Sequence, residues 1–169
     1  VDAAPTPLVR DARPGDVVAI CAFGESHIRP HYAPLIGAAA ADAQVRAWWN
    51  PTYVDSAVRA GRVVIAEAGG ACVGVAQLGR HGDDHVVHKL YVAPHLRGHG
   101  LGPRLLDALV GRLPGDTRVL YVEHVAANTR AAAFYEREGF VVERIDPSPS
   151  GDPALDLVWR SRPAPSAAR

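Results

Sequence analysis

Leu90-Tyr91-Val92-Ala93-Pro94 leads, two residues later, into Arg97-Gly98-His99-Gly100-Leu101-Gly102-Pro103. This passage decides the fold. A β-rich run stops at a proline, a glycine-rich segment follows, and leucines at 101, 105, 106, 109 and 113 then recur at helical spacing. The order is strand, loop, helix. Glycine has no Cβ, so backbone amides there can approach a ligand closely. The first amides of a helix lack internal partners, and the helix dipole adds partial positive charge to them. Such a terminus suits a pyrophosphate. Arg97 can add a charge-assisted hydrogen bond, and Pro103 fits the first helical turn, where its missing donor costs little. No Gly-Lys-Ser/Thr follows, so the loop is not a P-loop. It is not near the first strand of a βαβ unit with an acid at the next strand's end, so it is not a dinucleotide fingerprint either. By itself it reads as a phosphate cradle or as a helix-opening turn.

Working outward, the segments alternate. Leu8–Ala12 reads as a strand, and Asp16 as the cap of a helix over Val17–Phe23. Gly24 to Gly37, with two prolines, reads as a loop holding a turn or two of helix. Ala38–Trp49 and Thr52–Ala60 read as helices, the second stopped at Gly61. Val63–Ala66 and Cys72–Ala76 flank Gly69-Gly70 as a hairpin. Gly79–Asp84 reads as a polar loop and His85–Val92 as the next strand. After the leucine helix come a strand at Arg118–Val122, a helix at Asn128–Glu138 with Gly139 behind it, and strands at Phe140–Ile145 and Leu155–Trp159. The whole is a layered α/β (α+β) fold. The expectation is one domain over residues 1–161, with a disordered tail at 162–169.

Composition narrows the classes. The 169 residues carry no formal net charge, so no global field attracts nucleic acid or an anionic membrane. Lys89 is the only lysine among 18 strong bases. Cys21 and Cys72 form no C-x-x-C pair, which suits a reducing, cytoplasmic setting. No apolar run is long enough to span a bilayer, and the first residues carry no secretory signal pattern. His81, Asp83, Asp84, His85 and His88 straddle a loop and both faces of a strand, which speaks for a solvated loop and no metal site.

Two motifs together carry a resemblance. Arg97, Gly100 and Gly102 match Gln/Arg-x-x-Gly-x-Gly/Ala after a strand. Asn128, Ala131, Phe134-Tyr135-Glu136 and Gly139-Phe140 follow in the spacing of a second motif. The chain resembles the GNAT superfamily of acetyl-CoA-dependent N-acetyltransferases, closely over Val63 to Ile145 and in general layout before it. The resemblance implies a central mixed, mostly antiparallel sheet with a splayed pair of parallel strands, His85–Val92 and Arg118–Val122. It implies acetyl-CoA as co-substrate, its phosphates on Arg97, Gly98, His99, Gly100, Leu101 and Gly102, and its pantetheine arm along Leu90, Tyr91 and Val92. The expected reaction is direct attack by a primary amine, with no metal. Pro103 is a departure that removes one amide from the cradle.

The resemblance also gives roles to single residues. Tyr135 is the expected proton donor to the leaving thiolate. Asn128 either touches the pantetheine or caps its helix. His88 falls where some relatives place a histidine base; many others place a glutamate two residues earlier, where this chain has Val86. Glu123 and His124 are further candidates. An amine must be neutral to attack, and an alkyl ammonium has a pKa of about 10, so some group or a dry site must remove its proton. Acceptor pockets in this family fall at segments corresponding to Gly24–Ile36 and Asp146–Pro153, which places His27 and Tyr32, with Glu123, near the acceptor. The acceptor is a small-molecule or a peptide or protein amine, and a homodimer is open. A catalytically silent CoA-binding regulatory module is the rival from another class, and an unrelated nucleotide-phosphate binder is a second.

Overall fold

The computed structural model describes residues 6–165. Seven strands form one sheet: β1 (Leu8–Asp11), β2 (Val63–Ala68), β3 (Ala71–His81), β4 (Asp84–Val92), β5 (Val119–Val125), β6 (Val141–Asp146) and β7 (Leu157–Pro163). Their order is β1-β2-β3-β4-β5-β7-β6. Neighbours run antiparallel at β1–β2, β2–β3, β5–β7 and β6–β7. β4 and β5 run parallel, in register at His85↔Leu120, Val86↔Tyr121 and Val87↔Val122. The helices are α1 (Val17–Phe23), α2 (Arg29–Ile36), α3 (Ala38–Trp48), α4 (Pro51–Arg59), α5 (Leu101–Val110) and α6 (Thr129–Arg137).

The chain divides into two compact units. The first takes residues up to Gln77 and then Lys89–Gly111; the second takes Leu78–His88 and the residues from Arg112 onward. In the first, α5 turns Leu101, Leu105, Leu106 and Leu109 into the core, the stripe its leucine spacing announced. Leu105 needs Gly74 beneath it, since a Cβ there would lie 3.0 Å from Leu105 Cδ1. In the second, Leu120, Val122, Phe140 and Trp159 are buried around β5 and β7.

Several expectations change. Gly24 to Ile36 is helical throughout, where a loop with only a turn or two of helix is expected from sequence. α1 passes through a widened π turn at Gly24–Ile28 straight into α2, and Pro34 lies inside α2. Gly24 is there for packing: a Cβ on it would lie 2.6 Å from the Trp49 ring. Asp16 makes no side-chain cap on α1; its carboxylate instead accepts from Arg13 N at 2.7 Å and pairs with Arg10. β3 continues through Gly79 to His81, shortening the expected polar loop to a turn. Arg162 and Pro163, placed in the tail by sequence, complete β7, and Ala164 N donates to Arg118 O. Residues 166–169 of that tail lie outside the described residues. Among the described residues, no helix is long and apolar enough to cross a membrane.

Candidate active site

In the first unit, β4 ends at Val92 and one short turn at Pro94–Leu96 leads to the glycine loop. Gly98 (φ +80°) and Gly100 (φ +75°) hold left-handed backbone that disfavours any side chain, and Gly100 is the residue that opens α5. Among the described residues, nothing lies within 4 Å of a Cβ built on either, which leaves room over the loop for a ligand. Arg97 Nε donates to Val92 O at 3.1 Å, and the Arg97 carbonyl meets His99 Nδ1 at 2.9 Å. Arg97 therefore ties the loop to the end of β4, a role beyond the phosphate contact expected from sequence. Leu90, Tyr91 and Val92 are half-buried.

An aromatic wall from α1–α4 stands on one face of this part of β4. Tyr32 and Tyr91 share a hydroxyl–hydroxyl hydrogen bond of 2.8 Å, and Tyr91 packs edge-on to Trp49. Tyr32 is buried. His27, carried by the π turn, is half-buried and edge-on to Phe23. Burial holds its pKa below the usual imidazole value, and the positive charges of His95 and Arg97 act in the same direction. Lys89 sits behind the wall, only 4% exposed. Its Nζ donates to Gln77 Oε1 at 2.6 Å, and Gln77 Nε2 donates to Tyr53 Oη at 3.0 Å. The ammonium lies 4.5 Å from the Tyr53 ring centroid and 5.0 Å from that of Trp49. Burial pushes its pKa down to about 7. Sequence reasoning assigned Lys89 no role. The available signal was its being the sole lysine of an arginine-rich chain.

The second unit holds the remaining candidates. Tyr135 is buried, with its ring packed against Phe134 and Phe140 and stacked over His124. Asn128 caps α6: its Oδ1 accepts from Ala131 N at 3.2 Å. The parallel register ends at Val87↔Val122, one residue short of His88 and Glu123; alternation puts His88 on the face of Val86 along β4 and Glu123 on the face of Tyr121 along β5. His88 is exposed and lies over Gly79, whose missing Cβ makes room for the imidazole. Glu123 is half-buried on β5, across from Trp159. Burial raises its carboxyl pKa, with His81 and Arg144 opposing. His124 projects to the opposite face. Among the described residues, no group of three or more His, Cys, Asp or Glu is arranged to hold a metal ion.

The comparisons agree with this geometry. Residues 59–142 match the family described as acetyltransferase (GNAT) domain. A Mycobacterium tuberculosis (strain H37Rv) protein named as a probable N-acetyltransferase is 32% identical over 100 residues, 57% of this chain and 56% of its own length. The match thus spans little more than half of that relative. The PaiA N-acetyltransferase of Thermoplasma acidophilum, solved with coenzyme A, superposes with a TM-score of 0.76 at 14% identity, covering 94% of this chain and 99% of its own. YncA of Salmonella typhimurium, solved with acetyl-CoA, gives a TM-score of 0.67 at 21% identity over 98% of each chain. A strand that ends in a left-handed glycine loop opening a helix, followed by a helix bearing Phe-Tyr-Glu, is the arrangement of an acyl-CoA-dependent transferase fold. The chain belongs to the GNAT acetyltransferase family.

Proposed function

We propose that this protein is an N-acetyltransferase that moves the acetyl group of acetyl-CoA to a primary amine by direct attack. The observation that carries the reading is the open loop of Gly98 and Gly100 at the start of α5. Its amides and dipole fit a pyrophosphate, and PaiA and YncA of the same fold were solved with coenzyme A and acetyl-CoA. Leu90–Val92 take the pantetheine arm, and a backbone amide near Val92 polarises the thioester carbonyl. Arg97 keeps the loop docked on β4. Asn128 serves by capping α6, which carries Tyr135, and Tyr135 gives the departing thiolate its proton.

Glu123 is the better base than His88. Burial raises the carboxyl pKa of Glu123, which makes it a stronger base than an ordinary exposed carboxylate, and Glu123 has no hydrogen-bond donor among the described residues. An exposed His88 over Gly79 is placed to shape that face. The acceptor is a small-molecule or a peptide amine, entering along His27 and Tyr32. The absence of net charge supports an acceptor other than nucleic acid, and the two unpaired cysteines support a cytoplasmic setting.

The test is thiol release from acetyl-CoA across a broad amine panel, with CoA binding followed separately. Turnover with at least one amine is expected. Tight CoA binding without turnover on any amine favours the silent module, and failure to bind CoA ends the reading. Tyr135→Phe should lower kcat by about 10²-fold or more while leaving CoA affinity near wild type.

A further inference from the structure

His124 is an imidazole buried at 6% exposure with both nitrogens engaged. Nε2 receives a hydrogen bond from Arg160 Nε at 3.1 Å. A guanidinium only donates, so Nε2 must present its lone pair. Nδ1 meets Val125 O at 3.0 Å, and a carbonyl only accepts, so Nδ1 carries the hydrogen. One tautomer satisfies both contacts, and it is neutral. The imidazole stacks on the Tyr135 ring, 6.2 Å between centroids and 20° between planes. Arg160 reaches on to Phe140 O at 3.4 Å, just past the end of α6. Next along β7 but one, Arg162 donates to Glu138 O at 2.7 Å and covers the Phe140 ring. The C-cap carbonyl of the helix that carries Tyr135 is thus held by Arg162, the sign the helix dipole favours, and Arg160 holds the chain just beyond it.

We infer that His124 and Arg160 form a positioning pair for Tyr135, in which the neutral imidazole is the hinge pin and its protonation frees the tyrosine. The inference rests on the reading of Tyr135 as the thiolate's proton donor. Protonated His124 would point an N–H at the Arg160 N–H, setting two donors and two positive charges against each other at 3.1 Å inside the core. Among the described residues, the charged or titratable side chains in contact with the imidazole are Arg160 from β7 and Tyr135 from α6, and no carboxylate bonds to it to hold an added proton. Burial and Arg160 both disfavour the cation, opposed by the Val125 carbonyl. Below the titration of His124, therefore, Arg160 and the ring must part, and the stack that orients Tyr135 goes with them. Acetyl transfer then has an acid limit set by His124, separate from the titration of the base.

Side-chain ¹⁵N NMR of the full chain across a pH series, run beside pH–kcat profiles, tests this. The expected spectrum is the Nδ1–H tautomer at neutral pH, with a single acid transition at the pH where kcat falls. His124→Gln keeps an acceptor for Arg160 but removes the ring that stacks on Tyr135 and cannot titrate; it should lower kcat at neutral pH by about tenfold or more, leave the KM for acetyl-CoA within about twofold and lose that transition. Arg160→Gln donates without charge; it should raise the His124 transition and move the acid limit of kcat upward with it, leaving the KM for acetyl-CoA within about twofold. An Nε2–H tautomer, an imidazolium at neutral pH, or an acid limit unmoved in both variants would overturn the pair. Where His124→Gln fails to fold, Arg160→Gln decides the matter. A wild-type chain that turns over no amine would sink the acetyltransferase reading, while the NMR arm still decides whether the pair exists.

Discussion

Lys89 shows what one residue's chemistry requires. The chain has used arginine for every other strong base, yet it keeps lysine at the one buried position where Gln77 and two aromatic rings are the partners. Arginine cannot shed its proton there; lysine can. Its pKa stands near 7 in the folded chain against an ordinary 10.5. Between those values the unfolded chain holds a proton that the folded chain lacks. Lys89 therefore makes stability rise as pH climbs from about 7 to about 9; above 9 the buried Cys72 thiol, raised to about 11, opposes it, and the full cost of the buried Lys89 charge is felt below 7. Lys89→Met should abolish this slope in urea midpoints measured across that window, whatever its absolute effect, because Gln77 also loses a partner. Lys89→Arg should destabilise throughout, by a few kcal/mol. A slope retained in Lys89→Met would place the titration elsewhere. Glu123 tests the site on the same scale. Glu123→Gln should cut kcat/KM by about 10²- to 10⁴-fold, whereas His88→Ala should preserve the pH profile. The reverse pattern would return the base to His88.

At the scale of elements, the sequence was legible where pattern and packing agree. The leucines of α5, the Asn128 cap and the Gly-Gly hairpin follow from local rules, and the glycine loop with the Phe134-Tyr135 helix carried the family. The segment from Gly24 to Ile36 misled, because glycine and two prolines signal loops locally. Here Gly24 answers a tertiary demand, the Trp49 ring, and the prolines sit in a helix whose hydrogen-bond ladder has already shifted at a π turn. No local rule could report a ring 25 residues away. The Lys89 cage and the His124–Arg160 pair were hidden for the same reason, since each is assembled by strand register. Glycine to alanine in a helix ordinarily stabilises by about 0.5–1 kcal/mol. Gly24→Ala should instead destabilise by about 1–3 kcal/mol, because its methyl would overlap Trp49. Chemical denaturation decides the sign, and a stabilised variant would mean that Trp49 gives way.

For the whole molecule, the weak point is an edge. β6 ends the sheet beyond β7, and every residue in it is exposed. Val141, Val142 and Ile145 are 64%, 50% and 55% accessible. An edge strand with apolar side chains is a template for pairing with another chain. Two devices oppose that here: a bulge between Val142 and Arg144 breaks the ladder, and Glu143, Arg144 and Asp146 interrupt the apolar run. The protein as a whole adds little protection, since its formal charge is zero at neutral pH and long-range repulsion is absent. Self-association should therefore be governed by this strand and should be greatest near neutrality. A lysine on the edge supplies both local repulsion and net charge. Val142→Lys and Ile145→Lys should each lower light scattering at high protein concentration near neutral pH, leaving the urea midpoint within about 0.5 kcal/mol of wild type. Lysines of equal number placed on the exposed face of α3, at Ala40 or Ala47, separate the two causes. If they suppress scattering as well as the β6 variants do, net charge is the control and the edge is already closed by its bulge. If only the β6 variants act, the strand is the contact, and the bulge alone does not close it.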